Sequence, residues 1–196
     1  MKPAYFSMAL GLALFVSACN NDSTSPGGTA TANSDQSDKT GTTAVPAETA
    51  KGNSSVNAIV GHYMHVKDAL AGDNGSEAAA GAKAMVAELS KVDASGFTQE
   101  QQKTYADVSD DLKEMAEHIA ESASKIDHQR EHFVMMSDDV KALVKSFGWD
   151  APLYVGHCPM ANGDKGADWL SKEEAISNPY MGKKMPKCGN VKEVIK

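Results

Sequence analysis

The chain has 196 residues, three cysteines, and 26 acidic against 19 basic side chains, a formal net charge of −7 at neutral pH. That balance argues against a nucleic-acid-binding protein and against a surface held to anionic lipid by charge. Once the N-terminal segment is set aside, roughly 140 residues remain to fold, the size of one domain.

Lys2 is a minimal basic start. The run "MALGLALFV" that follows shortly after is apolar over about nine residues, too short to span a bilayer as a helix. It ends in "VSAC", small residues directly before Cys19, the pattern of a bacterial lipoprotein signal. The expectation is a signal peptide over 1–18, with Cys19 acylated as the first mature residue. The alternative is an ordinary secretory signal cleaved near Ala18. Asn20 in place of aspartate points to the outer membrane, on the periplasmic side of the cell envelope. Residues 19–54 are dominated by Ser, Thr, Gly, Asn, Asp and Pro, and read as a disordered tether with a reach on the order of 30 Å. The partner implied by this end is the membrane, through the lipid.

Residues 55–148 read as helical. A first helix is expected from about 56 to 71, capped by Ser54 or Ser55, and a second from about 75 to 92 with Ala79, Ala82, Met85, Val86 and Leu89 at helical steps. After "DASGF", Thr98 and Gln101 have capping-box spacing and open a third helix, about 98 to 122. The apolar series Leu112, Met115, Ile119, Ala123, Ile126, Arg130, Phe133, Ser137, Val140, Val144 continues across "ESASKID". Ser124 and Asp127 repeat the capping-box spacing there, so a fourth helix is expected from 125 to 147. Short connections make neighbours antiparallel, and the expected fold is mainly α, an up-down four-helix bundle. Arg130 on the apolar seam calls for a carboxylate or carbonyl partner at its edge.

Residues 149–196 differ in kind, rich in Gly, Pro and Asn, and read as a small irregular module packed on the bundle. "YVGH" suits a brief strand, and "SKEEAIS" one or two helical turns capped by Ser171. "GHCPM" places His157, Cys158 and Met160 side by side, and "KKMPKCG" adds Met185 and Cys188. A thiolate, an imidazole and a thioether together suit a soft d¹⁰ ion, Cu(I) or its mimic Ag(I). Zinc rarely uses methionine, and the acidic residues form no calcium loop. His157, Cys158, Met160, Met185 and Cys188 are therefore the candidate metal ligands, with Met181 a weaker one. His157 and Cys158 can share an ion only if the backbone bends between them. The competing expectation is a plain Cys158–Cys188 disulfide, closing a loop of about 30 residues and contributing roughly 3 to 4 kcal/mol. A thiol oxidoreductase lacks support, since the cysteines are far from the close spacing of usual redox pairs.

His62 and His65 lie one turn apart on the first helix, and His128 and His132 one turn apart on the fourth. These pairs and His118 read as surface histidines. No haem-attachment, di-iron, nucleophile-elbow, phosphate-loop or zinc-protease motif occurs, which points away from an enzyme.

The stretch His-Cys-Pro-Met, then Gly-Ala-Asp-Trp-Leu-Ser, Asn-Pro-Tyr, Met and Cys-Gly resembles an uncharacterised domain family of Gram-negative envelope proteins. Gln129-Arg130, Phe133 and Ser137 in the last helix match as well, and the resemblance covers roughly residues 56–194. Its members occur as lipoproteins and at the C-terminus of periplasmic adaptor subunits of copper and silver efflux systems. The resemblance implies a role in copper homeostasis or heavy-metal resistance, an efflux adaptor or other envelope protein as partner, and the same five ligands. Met181 stands where the family would have an aromatic residue, and His62 and His65 fall outside its pattern.

Overall fold

The computed structural model describes residues 47–196; the expected signal peptide (1–18), Cys19 and the part of the expected tether (19–54) that precedes residue 47 lie outside them, and the rest of that expected tether is helical. The described part is mainly helical, with a small three-stranded antiparallel sheet at its C-terminal end. Four long helices come first: α1 (Ala47–Ala71), α2 (Gly75–Leu89), α3 (Gln99–Glu121) and α4 (Ile126–Phe147). Each packs on the next, and α4 also contacts α1. None is long and apolar enough to cross a membrane.

The helix starts show where local signals sufficed. Thr98 forms the expected capping box, its hydroxyl accepting from the Gln101 N–H while the Gln101 side chain accepts from the Thr98 N–H. The second expected box does not form. Lys125, not Ser124, precedes α4 and makes no side-chain cap. Nor do Ser54 or Ser55 start α1, which runs from Ala47.

The C-terminal module is a sheet rather than an irregular unit. Strands β1 (Leu153–Cys158), β2 (Ala167–Ser171) and β3 (Asn190–Ile195) lie in the order β2-β1-β3. "YVGH" is indeed strand. "SKEEAIS" is not helix: Ser171 ends β2, and its hydroxyl accepts from the Glu173 N–H, bending the chain away. Between β1 and β2, Asn162, Gly163 and Asp164 are all left-handed, with φ of 53°, 61° and 62°. These residue types tolerate that conformation, and they reverse the chain as a left-handed turn. Gly156 sits opposite Trp169 in the register, and a Cβ there would come within 2.4 Å of the indole Cζ2. The missing side chain lets Trp169 lie flat over the strand, almost wholly buried.

One buried relay joins sheet to helices. Leu170, on the edge strand β2, donates its N–H at 2.9 Å to the Tyr63 hydroxyl of α1. Tyr63 lies 3.0 Å from the Ser137 Oγ of α4, and Ser137 in turn donates to the Phe133 carbonyl at 2.7 Å. Since Ser137 uses its proton there, Tyr63 is the donor to Ser137. Tyr180 donates to the Asp168 carbonyl and lies 3.3 Å from the same Ser137 Oγ. Burial holds both phenols well above their ordinary pKa, so both keep their protons. Around the relay, Tyr63 stacks on Phe133 with centroids 5.1 Å apart, and Tyr180 contacts both Phe133 and Trp169.

A charged clasp reinforces this contact. Asp168 of β2 is paired with Lys141 of α4 at 3.0 Å, Lys192 of β3 at 2.6 Å and His157 of β1 at 2.8 Å. Burial alone would raise this carboxyl. The hydrogen bonds from Lys192, His157 and Lys141 outweigh it and hold the group down at about 2.

Tyr63→Phe strands the Leu170 N–H in the core and should cost about 1–3 kcal/mol of unfolding free energy, read from urea denaturation; no change would remove the relay from the list of stabilising contacts. Because the Asp168 carboxyl is depressed in the folded state, its stabilisation is complete above the ordinary value of 3.8 and is lost as pH falls towards about 2. The wild-type protein should therefore lose stability over that interval more steeply than Asp168→Asn, measured by denaturant midpoints at successive pH values.

Candidate metal centre

Pro159 lacks a backbone N–H, so β1 ends at Cys158 and the chain leaves the sheet there. On the other side, Cys188 closes a β-turn: its N–H donates to the Met185 carbonyl at 3.2 Å, with Pro186 at the second position, where its fixed φ fits. Asn178, fully buried, fastens the two ends of this loop. Its side-chain amide donates to the Cys188 carbonyl at 2.7 Å, its side-chain oxygen accepts from Tyr180 and Met181 N–H, and its own N–H donates to the Pro186 carbonyl.

Arg130 anchors the same loop to the helices. It donates to the Pro179 carbonyl at 2.9 Å and the Leu70 carbonyl at 3.0 Å, and pairs with Asp73 at 2.5 Å. Asp73 also accepts from the Lys183 N–H. The seam arginine thus has both kinds of expected partner, carboxylate and carbonyl. Gly182, with φ 52°, lies so close that a Cβ would overlap Asp73 Oδ1 and Arg130 Nη2.

The result is two free thiols whose sulfurs are 3.2 Å apart, Cys158 buried and Cys188 partly exposed. This exceeds a disulfide bond of about 2.05 Å. It falls short of the about 3.8 Å expected between two thiolates on one tetrahedral zinc. The hydrogen bond shared with Cys158 is the main reason the Cys188 thiol sits above its ordinary pKa.

The other expected ligands separate. β1 stays regular against β2 through Cys158, with His157 opposite Asp168 and Cys158 opposite Ala167. Successive strand residues point to opposite faces, so His157 leaves the sheet on the side away from Cys158 and donates its Nδ1–H to Asp168 Oδ1. The required backbone bend is absent, and His157 does not join the two sulfurs in a three-donor cluster. Met160 is half exposed at the start of the left-handed turn, and with Met181, Tyr180 and Arg130 it lines a cleft of about 290 Å³. Met185 supplies its carbonyl to the turn that carries Cys188.

Among the described residues, three metal-capable side chains converge elsewhere. One ligand atom from each of His118, His128 and His132 lies within 4.8 Å of the other two. His128 and His132 are one turn apart on α4, and residues 122–125 are short enough to bring His118, in the last turn of α3, against them. His132 stacks on His118 with centroids 4.4 Å apart, and its Nε2 lies 3.1 Å from His128 Nε2. Burial first, then the two neighbouring imidazoles, hold His132 below its ordinary pKa. The spacing of His128 and His132 was the only sequence signal for this cluster, since the third member arrives through the α3–α4 packing. His65 is taken up by Glu77 of α2 at 3.1 Å.

No curated protein and no solved structure matches the chain. Residues 59–151 match a family model described as "Protein of unknown function (DUF3347)". The matched span runs from α1 to just before β1, so it takes in the helices and all three clustered histidines, and it leaves out Cys158 and Cys188. The helical part of the chain thus matches an uncharacterised family.

Proposed function

We propose that this is a lipid-anchored protein of the bacterial envelope that binds a soft monovalent ion, Cu(I) or Ag(I), and buffers it or passes it to an efflux partner, without catalysis of its own. The observation that carries this reading is the pair of free thiols 3.2 Å apart, one buried at the end of β1 and one reachable on a loop clamped by Asn178 and Arg130. Cys158 and Cys188 are the core ligands. A small opening of the loop separates the sulfurs enough to admit an ion, and Met185 and Met160 are the nearby thioethers in sequence for any further bond. His157 is left out of the set, because strand alternation sends its side chain to the face of β1 opposite Cys158. In this reading the helices form an up-down four-helix bundle that acts as scaffold. The resemblance of the module to domains carried by copper and silver efflux adaptors supports the choice of partner.

The separation of the sulfurs also favours a second reading, a disulfide that staples the module as a structural or interaction unit of the envelope. About 1 Å of approach brings the sulfurs to bonding distance, and an external two-electron oxidant, such as a disulfide-exchange partner, takes up the electrons as the two thiol protons leave.

Titration of the reduced protein with Cu(I) against a chromophoric chelator should show one equivalent bound well below micromolar. Cys158→Ala should abolish it with helicity largely intact, and unchanged affinity in that variant would overturn the site. The ion binds thiolate and not thiol, so binding displaces protons. Apparent affinity should therefore fall as pH falls, by up to about a hundredfold per unit if both protons leave. Quantitative oxidation of both cysteines in protein isolated from the envelope, resistant to mild reductants, would favour the staple.

A further inference from the structure

We propose that His118, His128 and His132 form a second metal site, for a late first-row divalent cation such as Zn²⁺, that clips α3 to α4 at their connection. Donor geometry points to this site independently of the cysteine pair. Two imidazole nitrogens on one tetrahedral zinc stand about 3.3–3.4 Å apart. His128 Nε2 and His132 Nε2 are already 3.1 Å apart, so little movement is needed to seat an ion between them. His118 completes the set from the facing helix, all three donors lying within 4.8 Å. The rings of His118 and His128 are 45% and 42% exposed, which leaves them free to turn onto an ion and leaves a path for it to enter.

The groups behind the imidazoles suit this role. Glu131 accepts from His128 Nδ1 at 3.1 Å, which places the lone pair on Nε2, the arrangement by which carboxylates orient metal-binding histidines. In the metal-free state the His132 Nε2 proton is then the one shared with His128. On binding, that proton moves to His132 Nδ1, which faces the Met115 sulfur at 3.3 Å, or leaves to solvent if the ring was charged. His132 is thereby a neutral ligand through Nε2. Glu114, 3.7 Å from His118 Nε2, and Glu131 add negative charge beside the ion. Three neutral imidazoles with one position left for water suit a borderline ion such as Zn²⁺. They do not suit Ca²⁺ or Mg²⁺, which require oxygen, and they offer no sulfur first choice for Cu(I).

The test uses the full chain titrated with Zn²⁺ against a chromophoric chelator, in wild type, His118→Gln/His128→Gln and Cys158→Ala/Cys188→Ala forms. The wild type should bind one equivalent in the micromolar range or tighter. The histidine variant should lose it or weaken at least tenfold, and the cysteine variant should retain it, so that failure of the thiol site and failure of this one give different patterns. Both substituted histidines are half exposed, and far-UV circular dichroism checks that the helices persist. Should the cysteine variant not fold, Co²⁺ added to wild type decides: visible bands of a four- or five-coordinate ion, without thiolate charge-transfer absorption and absent from the single variant His118→Gln, support the site. Equal Zn²⁺ affinity in wild type and the histidine variant, or cobalt spectra dominated by thiolate, would overturn it.

Discussion

The Ser137 hydroxyl is the point where helices and sheet become one structure. A small sheet whose edge strand presents an unpaired N–H towards a helical layer carries a desolvation cost unless a donor–acceptor relay receives it. Tyr63 takes up that N–H from Leu170 and hands its own proton to Ser137, which passes the obligation to a helix carbonyl of its own turn. Tyr180 approaches the same oxygen from the loop that carries the second cysteine. Three chain segments far apart in sequence therefore meet on one buried oxygen, and apolar contacts of Phe133, Trp169 and the two tyrosine rings keep water away from it.

The mounting of the thiols is a consequence. Tyr180 is held to Asn178 by the side-chain oxygen of that residue, and the other end of the same amide holds the Cys188 carbonyl. Arg130 pins the adjoining Pro179 carbonyl to α4 and to the end of α1. The loop between β2 and β3 has little regular structure of its own, so its shape is imposed by these polar clamps. That is the physical reason a long, glycine- and proline-rich connection can bring Cys188 back onto Cys158. It also explains the bare Cα at Gly182, where a side chain would displace the Asp73–Arg130 pair.

The proposed functions divide by donor type along the same architecture. Sulfur is gathered where sheet and loop meet, nitrogen where two helices turn back on each other. The two sets differ in what must move: the thiols must part slightly to admit an ion, whereas the imidazole pair is already near the separation an ion imposes. A protein exposed to mixed metals gains discrimination from such a split, since soft and borderline ions sort by ligand chemistry more than by affinity at any one site.

Helix positions were legible from the residues because their causes are local. The period of the apolar series, the Thr98–Gln101 box and the break at "DASGF" each act within one or two turns, and α2, α3 and α4 lie within a few residues of expectation. The demand of Arg130 for partners was legible too, as a charge on an apolar seam. Three features belonged to tertiary structure alone. Strand pairing turned "ADWLS" and "NVKEVI" into sheet, although neither has a periodicity long enough to declare it. The regular register of β1 against β2 set His157 and Cys158 on opposite faces, where adjacency in sequence had suggested one shared ion. Packing of α3 against α4 brought His118 to His128 and His132, a meeting invisible to spacing because the third ligand is supplied across a helix interface. A sequence records what each segment prefers within a few residues, whereas the direction a side chain faces in a sheet, and what it meets across an interface, depends on partners whose pairing is settled only when the whole domain closes.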